Sequence, residues 1–205
     1  MTRAYRLGRR EETARRTRET ILQAAAGLLT EAGSRGVTMQ AVAKEANVSR
    51  VTVYDHFKDR AGLLEALAWW TAARHDIDGI RRARLQDDVR RALTDFVSEN
   101  TRFYHSVGER DLANLKIMST DPDAAQVIQT TYVGGRLTAI SELVARLDQA
   151  GELSPTFPCE RAIDVLMIVT SIETFETLTK HRRLGMRRAA DVLARMAGDL
   201  LLRRS

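Results

Sequence analysis

The sequence predicts an all-α protein of two domains, an N-terminal three-helix unit carrying a helix-turn-helix and a C-terminal helical body. Three observations predict it. Apolar residues recur at three- and four-residue intervals along most of the 205 residues, the period of helices buried on one side. Only 3 prolines interrupt the chain, and aromatic residues are sparse at 5%. The net charge of +5 is concentrated at one end: up to Gly62 there are 12 Arg and Lys against 7 Asp and Glu, and beyond it 20 of each. A basic module on a neutral body implies a polyanionic partner at one end and a different task at the other.

In chain order, Met1 to about Ala14 is polar and Arg-rich (Arg3, Arg6, Arg9, Arg10). It reads as a mobile arm, either lying along phosphates or in a minor groove, or simply solvated. From about Arg15 to Ala32, Ile21, Leu22, Ala25, Leu28 and Leu29 form one stripe of a helix that Gly33 and Gly36 close. Arg15, Arg16 and Arg18 crowd its first half, where the helix dipole favours acids, so a nearby phosphate or plain solvation must accommodate them.

The stretch from Thr38 to Arg60, TMQAVAKEANVSRVTVYDHFKDR, reads as two short helices and a tight turn. Thr38 caps the first, which shows Ala41, Val42 and Ala46 on its apolar face. Asn47, tolerant of left-handed backbone, reverses the chain, with Val48 plugging the corner. Ser49 caps the second helix, Arg50 to about Phe57, with Val51 and Phe57 as its anchors to the domain. Ser49, Arg50, Thr52, Val53 and Tyr54 present small or polar groups suited to a major groove. Thr38, Lys58 and Arg60 are placed for phosphates, and Gln40 and His56 complete the candidate DNA contacts. By spacing alone an ordinary helical hairpin competes with this reading.

The residues Ile21…Ala24-Ala25…Leu28-Leu29…Gly33, Val37-Thr38…Val42-Ala43…Ala46-Asn47-Val48-Ser49…Thr52-Val53-Tyr54…Phe57-Lys58-Asp59-Arg60…Leu63-Leu64 resemble the DNA-binding domain of TetR-family transcriptional regulators. The resemblance covers roughly Ala14 to Arg74 without a gap. Asn47 stands where Gly is usual and Arg60 where Lys is common. The resemblance implies a DNA-binding domain over 14–74 (helix-turn-helix about 37–56) and an effector-binding and dimerisation domain over 79–205. It also implies a homodimer, an unidentified small-molecule effector, a double-stranded and palindromic operator, and more often repression than activation.

Farther on, Asp59 caps a helix expected to reach about Asp78, with Leu63, Leu64, Leu67 and Trp70 on one stripe, Trp69 off it and a break at Gly79. Such a helix would connect the two domains mechanically. Gln86 to Tyr104 follows, and Val107-Gly108 breaks it before a short helix at Asp111 to Met118. Asp121-Pro122 restarts the chain as N-cap and first helical residue. The next helix runs to about Gln149 with a kink or a close backbone approach expected at Gly134-Gly135, since glycine there costs ~1 kcal/mol against Ala. The last two are expected at about Cys159 to Lys180 and Met186 to Leu202. In the family the last two helices pack on their mates from a second subunit, which implies a dimer surface including Ile163, Leu166, Leu193, Ala197 and Leu200.

Polar groups on otherwise apolar helices are the candidates for an effector pocket: Asn100 and Tyr104, then Tyr132, then Thr170, Glu173 and Thr174, with the apolar Met167 added to them. Ser171 belongs to the same polar set. The four histidines (His56, His75, His105, His181) lack zinc-binding spacing, and neither CxxC nor a glycine-rich phosphate loop occurs, so the sequence predicts no enzyme, metal or cofactor. Cys159, alone, excludes an intramolecular disulfide and fits a cytoplasmic protein, and no apolar run is long enough to span a membrane. The alternative reading is an effector-independent DNA-binding protein, or an activator answering to a protein partner.

Overall fold

The computed structural model describes residues 3–75 and 77–204, with side chains described from Glu11 onward except that of Thr131. Eleven α-helices follow one another among these residues: α1 (Arg3–Gly36), α2 (Met39–Glu45), α3 (Arg50–Phe57), α4 (Arg60–Ala73), α5 (Asp78–Leu85), α6 (Val89–Ser119), α7 (Ala125–Ile128), α8 (Gly135–Gln149), α9 (Cys159–Val169), α10 (Ile172–Glu176) and α11 (Met186–Leu201). Wider π-turns occupy Gln129–Gly134 and Thr177–His181. The all-α class is as the sequence predicts; among the described residues the β-type pairing is one isolated bridge between Leu153 and Leu202.

The chain divides into two compact units, Met1–Thr71 with Ala113–Gln129, and Ala72–Leu112 with Thr130–Ser205. The expected boundaries of 14–74 and 79–205 therefore differ from this division, because Ala113–Gln129 packs with the first unit. Polar anchors explain why. Buried Asn114 accepts from the Thr30 hydroxyl at 3.1 Å and donates to the Ala26 carbonyl at 3.3 Å, both on α1.

In the first unit α1 supplies Ile21, Leu22, Ala25 and Leu29, all wholly buried, to a core shared by Val42, Val53, Leu63 and Leu67. The segment expected as a mobile arm is helical from Arg3, and Met1 and Thr2 lie outside the described residues. No proline stands there, and Glu12 pairs with Arg16 at 2.9 Å one turn on, a helix-supporting spacing. Gly33 (φ +66) interrupts α1 where the sequence expects its end. Glycine enters that left-handed region without steric cost.

In the second unit one cluster gathers Leu93, Phe96 and Val97 of α6, Ile140, Leu143, Val144 and Leu147 of α8, Leu166 of α9, and Leu193 and Ala197 of α11. Several expected elements are corrected. The break expected at Gly79 lies earlier, after Ala73, and Gly79 is buried inside α5, a helix the periodicity did not separate. The helix expected over 159–180 stops at Thr170, and Ser171 caps a new one by accepting from the Thr174 N–H at 3.1 Å. Gly108, at φ +78, breaks α6 as expected. At Gly134-Gly135 the chain passes from π-turn to α8. Leu137 is 43% exposed, while the buried stripe of α8 runs through Ile140, Leu143 and Leu147.

Candidate nucleic-acid interface and effector site

The helix-turn-helix is built by local hydrogen bonds. The Thr38 hydroxyl accepts from the Ala41 N–H at 3.1 Å and the Ser49 hydroxyl from the Thr52 N–H at 3.0 Å, so both N-caps are made by the expected residues. Asn47 takes φ +52 between them, and the Val48 N–H returns to the Ala43 carbonyl at 3.0 Å. The C-terminus of α3 closes on a second left-handed residue, Lys58 (φ +66), whose N–H reaches the Tyr54 carbonyl at 2.8 Å. Gly62 then lies so close to the chain that a Cβ there would stand 2.3 Å from the Phe57 carbonyl oxygen, so only glycine fits this turn.

This geometry sorts the expected contacts of α3. Ser49, Arg50, Tyr54 and Lys58 are exposed, as are Thr38 and Gln40 before them; Thr52 and His56 are half-buried. Two assignments exchange places. Val53, expected at the interface, is wholly buried, and Val51, expected as an anchor, is 67% exposed. Two residues along a helix turn a side chain through about 200°, and the core takes the stripe Val53–Phe57. The Arg50 guanidinium lies over the Tyr54 ring, 5.6 Å from its centroid, and Arg18 of α1 lies over Phe57 at 5.1 Å. Arg18, Tyr54, Lys58 and Trp69 line a concavity of about 590 Å³.

Arg60 does not take its expected place facing phosphate. Its side chain, 23% exposed, donates from Nε to the Val37 carbonyl at 2.8 Å and from Nη2 to the Ser34 carbonyl at 2.8 Å. The same guanidinium grips the Asp121 carboxylate at 2.8 and 3.0 Å and also pairs with Asp123. Asp121 further accepts from the Ser34 hydroxyl and from the backbone N–H of Asp123 at 2.9 Å. The Arg60 bonds hold the buried carboxyl below the usual aspartate range, and the Asp121 carboxylate raises the guanidinium in turn. Asp121-Pro122-Asp123 reads in sequence as a helix start; its second role is a brace between α4, the end of α1 and the turn after α6. Nothing local announces it, since Arg60 and Asp121 are 61 residues apart.

In the second unit, the break at Thr170 frees a carbonyl that two side chains capture. The Tyr104 hydroxyl donates to it at 3.0 Å and Arg136 Nη1 at 2.8 Å, with Arg136 also 3.3 Å from the Tyr104 oxygen. Burial pushes the Tyr104 phenol up, with Arg136 opposing, so the ring stays neutral. Among the described residues Arg136 Nε is buried with no hydrogen-bond partner, as is His75 Nε2, which stands 3.7 Å from Asp111. His75 meets Phe103 edge-on, Phe103 packs on Tyr104, and Tyr104 on Phe175.

Of the expected pocket residues the structure thus brings Tyr104 and Thr170 together, with the exposed Glu173 near enough to bias the Tyr104 phenol. Tyr132 is half-buried and its phenol pushed far up by that burial. Asn100 is buried and donates to its own helix at the Phe96 carbonyl, 2.8 Å away. Thr174 is engaged locally with Ser171 and the Ile168 carbonyl, and Met167 packs on the core. Arg136 went unnoticed in sequence, although a charge four residues ahead of a buried stripe is a readable signal, and His75 was weighed only for zinc-binding spacing.

The expected dimer residues also divide. Leu166, Leu193 and Ala197 lie in the chain's own core and Ile163 is half-buried beside it, while Leu200 is 41% exposed. Val192 and Met196 (39% each) are exposed with Leu200 along α11, and Ile168 of α9 is 67% exposed. No helix among the described residues is long and apolar enough to cross a membrane.

Comparison with known proteins agrees with this geometry. The family model described as "Bacterial regulatory proteins, tetR family" matches residues 21–67, from mid-α1 into α4. The chain belongs to the TetR family. It is 31% identical over 139 residues to the HTH-type transcriptional regulator AqdR of Rhodococcus erythropolis, covering 67% of this chain and 64% of that one. It is 40% identical over 62 residues to the class D tetracycline repressor protein of Escherichia coli, covering 30% and 28%. The alignments with curated TetR-family relatives span 28% to 64% of their lengths. Among solved structures it shares its fold with NalD, the secondary repressor of the MexAB-OprM multidrug efflux pump in Pseudomonas aeruginosa, at 23% identity and a TM-score of 0.75 over 95% of this chain and 100% of that one.

Proposed function

We propose that this TetR-family chain is a sequence-specific DNA-binding transcriptional regulator, a homodimeric repressor that a small molecule releases from a palindromic operator. The observation that carries the reading is the two-sided nature of α3: Val53 and Phe57 are in the core, and Arg50, Val51, Tyr54 and Lys58 face solvent. A helix-turn-helix uses such a face against base edges, while neighbouring groups fix its register on phosphates. Arg50 and Tyr54 are the base-edge donors, and Thr38, Gln40 and Lys58 meet the backbone. Arg60 has no part in it.

A palindrome needs two reading helices at a fixed separation, which one subunit cannot supply. Val192, Met196 and Leu200 recur every fourth residue along α11 and, with Ile168, offer the face on which a second copy packs. The effector reading is supported by the Tyr104–Arg136–Thr170 cluster and its orphaned Arg136 Nε. Such a buried donor is satisfied by a ligand acceptor, and a ligand preferring the released conformation lowers DNA affinity by its differential affinity. Two proteins that this chain resembles are named repressors, which sets the proposed sign of regulation.

Selection of bound duplexes from a random library, followed by gel-shift titration at fixed salt, tests the DNA reading. Wild-type protein should enrich a two-fold symmetric site, and Arg50→Ala should lose the preference at one position per half-site. A library that shows no enrichment would dismiss the reading. Light scattering should give a dimer that Met196→Glu dissociates with helicity intact; wild-type monomers at micromolar concentration would remove the dimer.

A further inference from the structure

We propose that Val51 reads the C5-methyl group of a thymine in the major groove. The proposal rests on α3 being the DNA-reading helix and adds a specific contact to it. Val51 is 67% exposed, more than Trp69 at 54% or Tyr54 at 39%. At 3.6 residues per turn Tyr54 and Asp55 lie on either side of Val51, and Val53 is on the far face. Val51 therefore occupies the middle of the solvent face, and at 67% exposure its branched side chain lies largely outside the core. Valine is also a poorer helix former than alanine. A local rule broken with no structural gain points to a functional contact.

The neighbouring polar groups define what that contact is. The Ser49 hydroxyl is engaged by the Thr52 N–H at 3.0 Å and by the Thr52 hydroxyl at 2.8 Å, and the Arg50 guanidinium is held on the Tyr54 ring. Between these polar arms Val51 presents two methyl groups and no donor or acceptor. The major-groove edges of A, G and C offer hydrogen-bonding groups, and thymine alone adds an apolar methyl. A valine pressed against the cytosine amino group would leave that donor desolvated and unpaired, so T·A is favoured over C·G at the position it covers.

The test replaces each thymine of the selected operator, one at a time, by deoxyuridine, which removes the methyl and keeps every hydrogen-bonding group. For wild-type protein one thymine per half-site should lose about fourfold in affinity, the equivalent of ~0.8 kcal/mol for one buried methyl-sized group. Val51→Ala should bind thymine and uracil equally at that position and respond like wild type at the others. Its folding is secure, since the side chain is exposed and alanine favours helix, and circular dichroism verifies it. Placing 5-methylcytosine there should improve on plain cytosine for wild type and not for Val51→Ala. If the operator is bound tightly but no thymine-to-uracil position separates the two proteins, Val51 does not read a methyl group. If no duplex is enriched at all, the DNA-reading assignment falls and this inference with it.

Discussion

Arg60 in the first compact unit and Arg136 in the second are both drawn out of water, but their guanidinium groups end in opposite circumstances. Arg60 meets two backbone carbonyls and two carboxylates, and its principal partner Asp121 is only 6% exposed. Among the described residues Arg136 meets one carbonyl and one phenol oxygen, faces no carboxylate in an ion pair, and keeps Nε buried without a partner. A saturated, charge-matched guanidinium holds one arrangement, since moving any partner leaves a charge buried. An incompletely bonded one retains donors for something else. The difference separates a guanidinium with its donors matched by carboxylates, beside the helix-turn-helix, from one that keeps a buried donor unused.

The largest expected effect breaks the first half of that comparison. Arg60→Ala leaves Asp121 buried and unpaired and should cost ~3–5 kcal/mol of stability, read by thermal or urea unfolding. An Arg60 that served a phosphate instead would, on truncation, weaken DNA binding evenly and leave stability alone. Gly62→Ala comes next. Its new methyl would meet the Phe57 carbonyl carbon and oxygen, backbone atoms that cannot swing aside, so ~1–3 kcal/mol should be lost.

Acid should sharpen the same contrast. The Asp121 carboxyl is depressed below its usual value, so its contribution is fully present above the unfolded aspartate value near ~4 and is lost as pH falls through the lower folded one. Wild type should therefore show a destabilising step below about pH 4 that is missing in Asp121→Asn. Unfolding curves at a series of pH values check it, and parallel slopes for the two proteins would count against the brace.

The smallest stability effect is expected at Arg136. Arg136→Met exchanges a partly satisfied guanidinium for an apolar side chain of similar length, which should change stability by less than ~1 kcal/mol. Helicity and dimerisation should persist while any effector found by thermal-shift screening loses its stabilisation of the protein. A loss as large as that of Arg60→Ala would make Arg136 a structural residue and erase the comparison.

The sequence by itself determined the helical class, the turn at Asn47, the caps Thr38 and Ser49, and the break at Gly108. These are local, each set by a residue's own backbone preference or by a side chain reaching two or three residues along. The family pattern over the helix-turn-helix was legible for the same reason. Tertiary structure alone decided which of Val51 and Val53 faces solvent, because an eight-residue helix with apolar residues at 51, 53 and 57 offers two possible stripes and only packing within the first unit selects one. It decided that Arg60 braces the unit rather than facing DNA, since its carboxylate partner comes from 61 residues away. It also split the expected dimer residues between core and surface: α11 is apolar on both sides, and period alone does not say which side the chain keeps for itself.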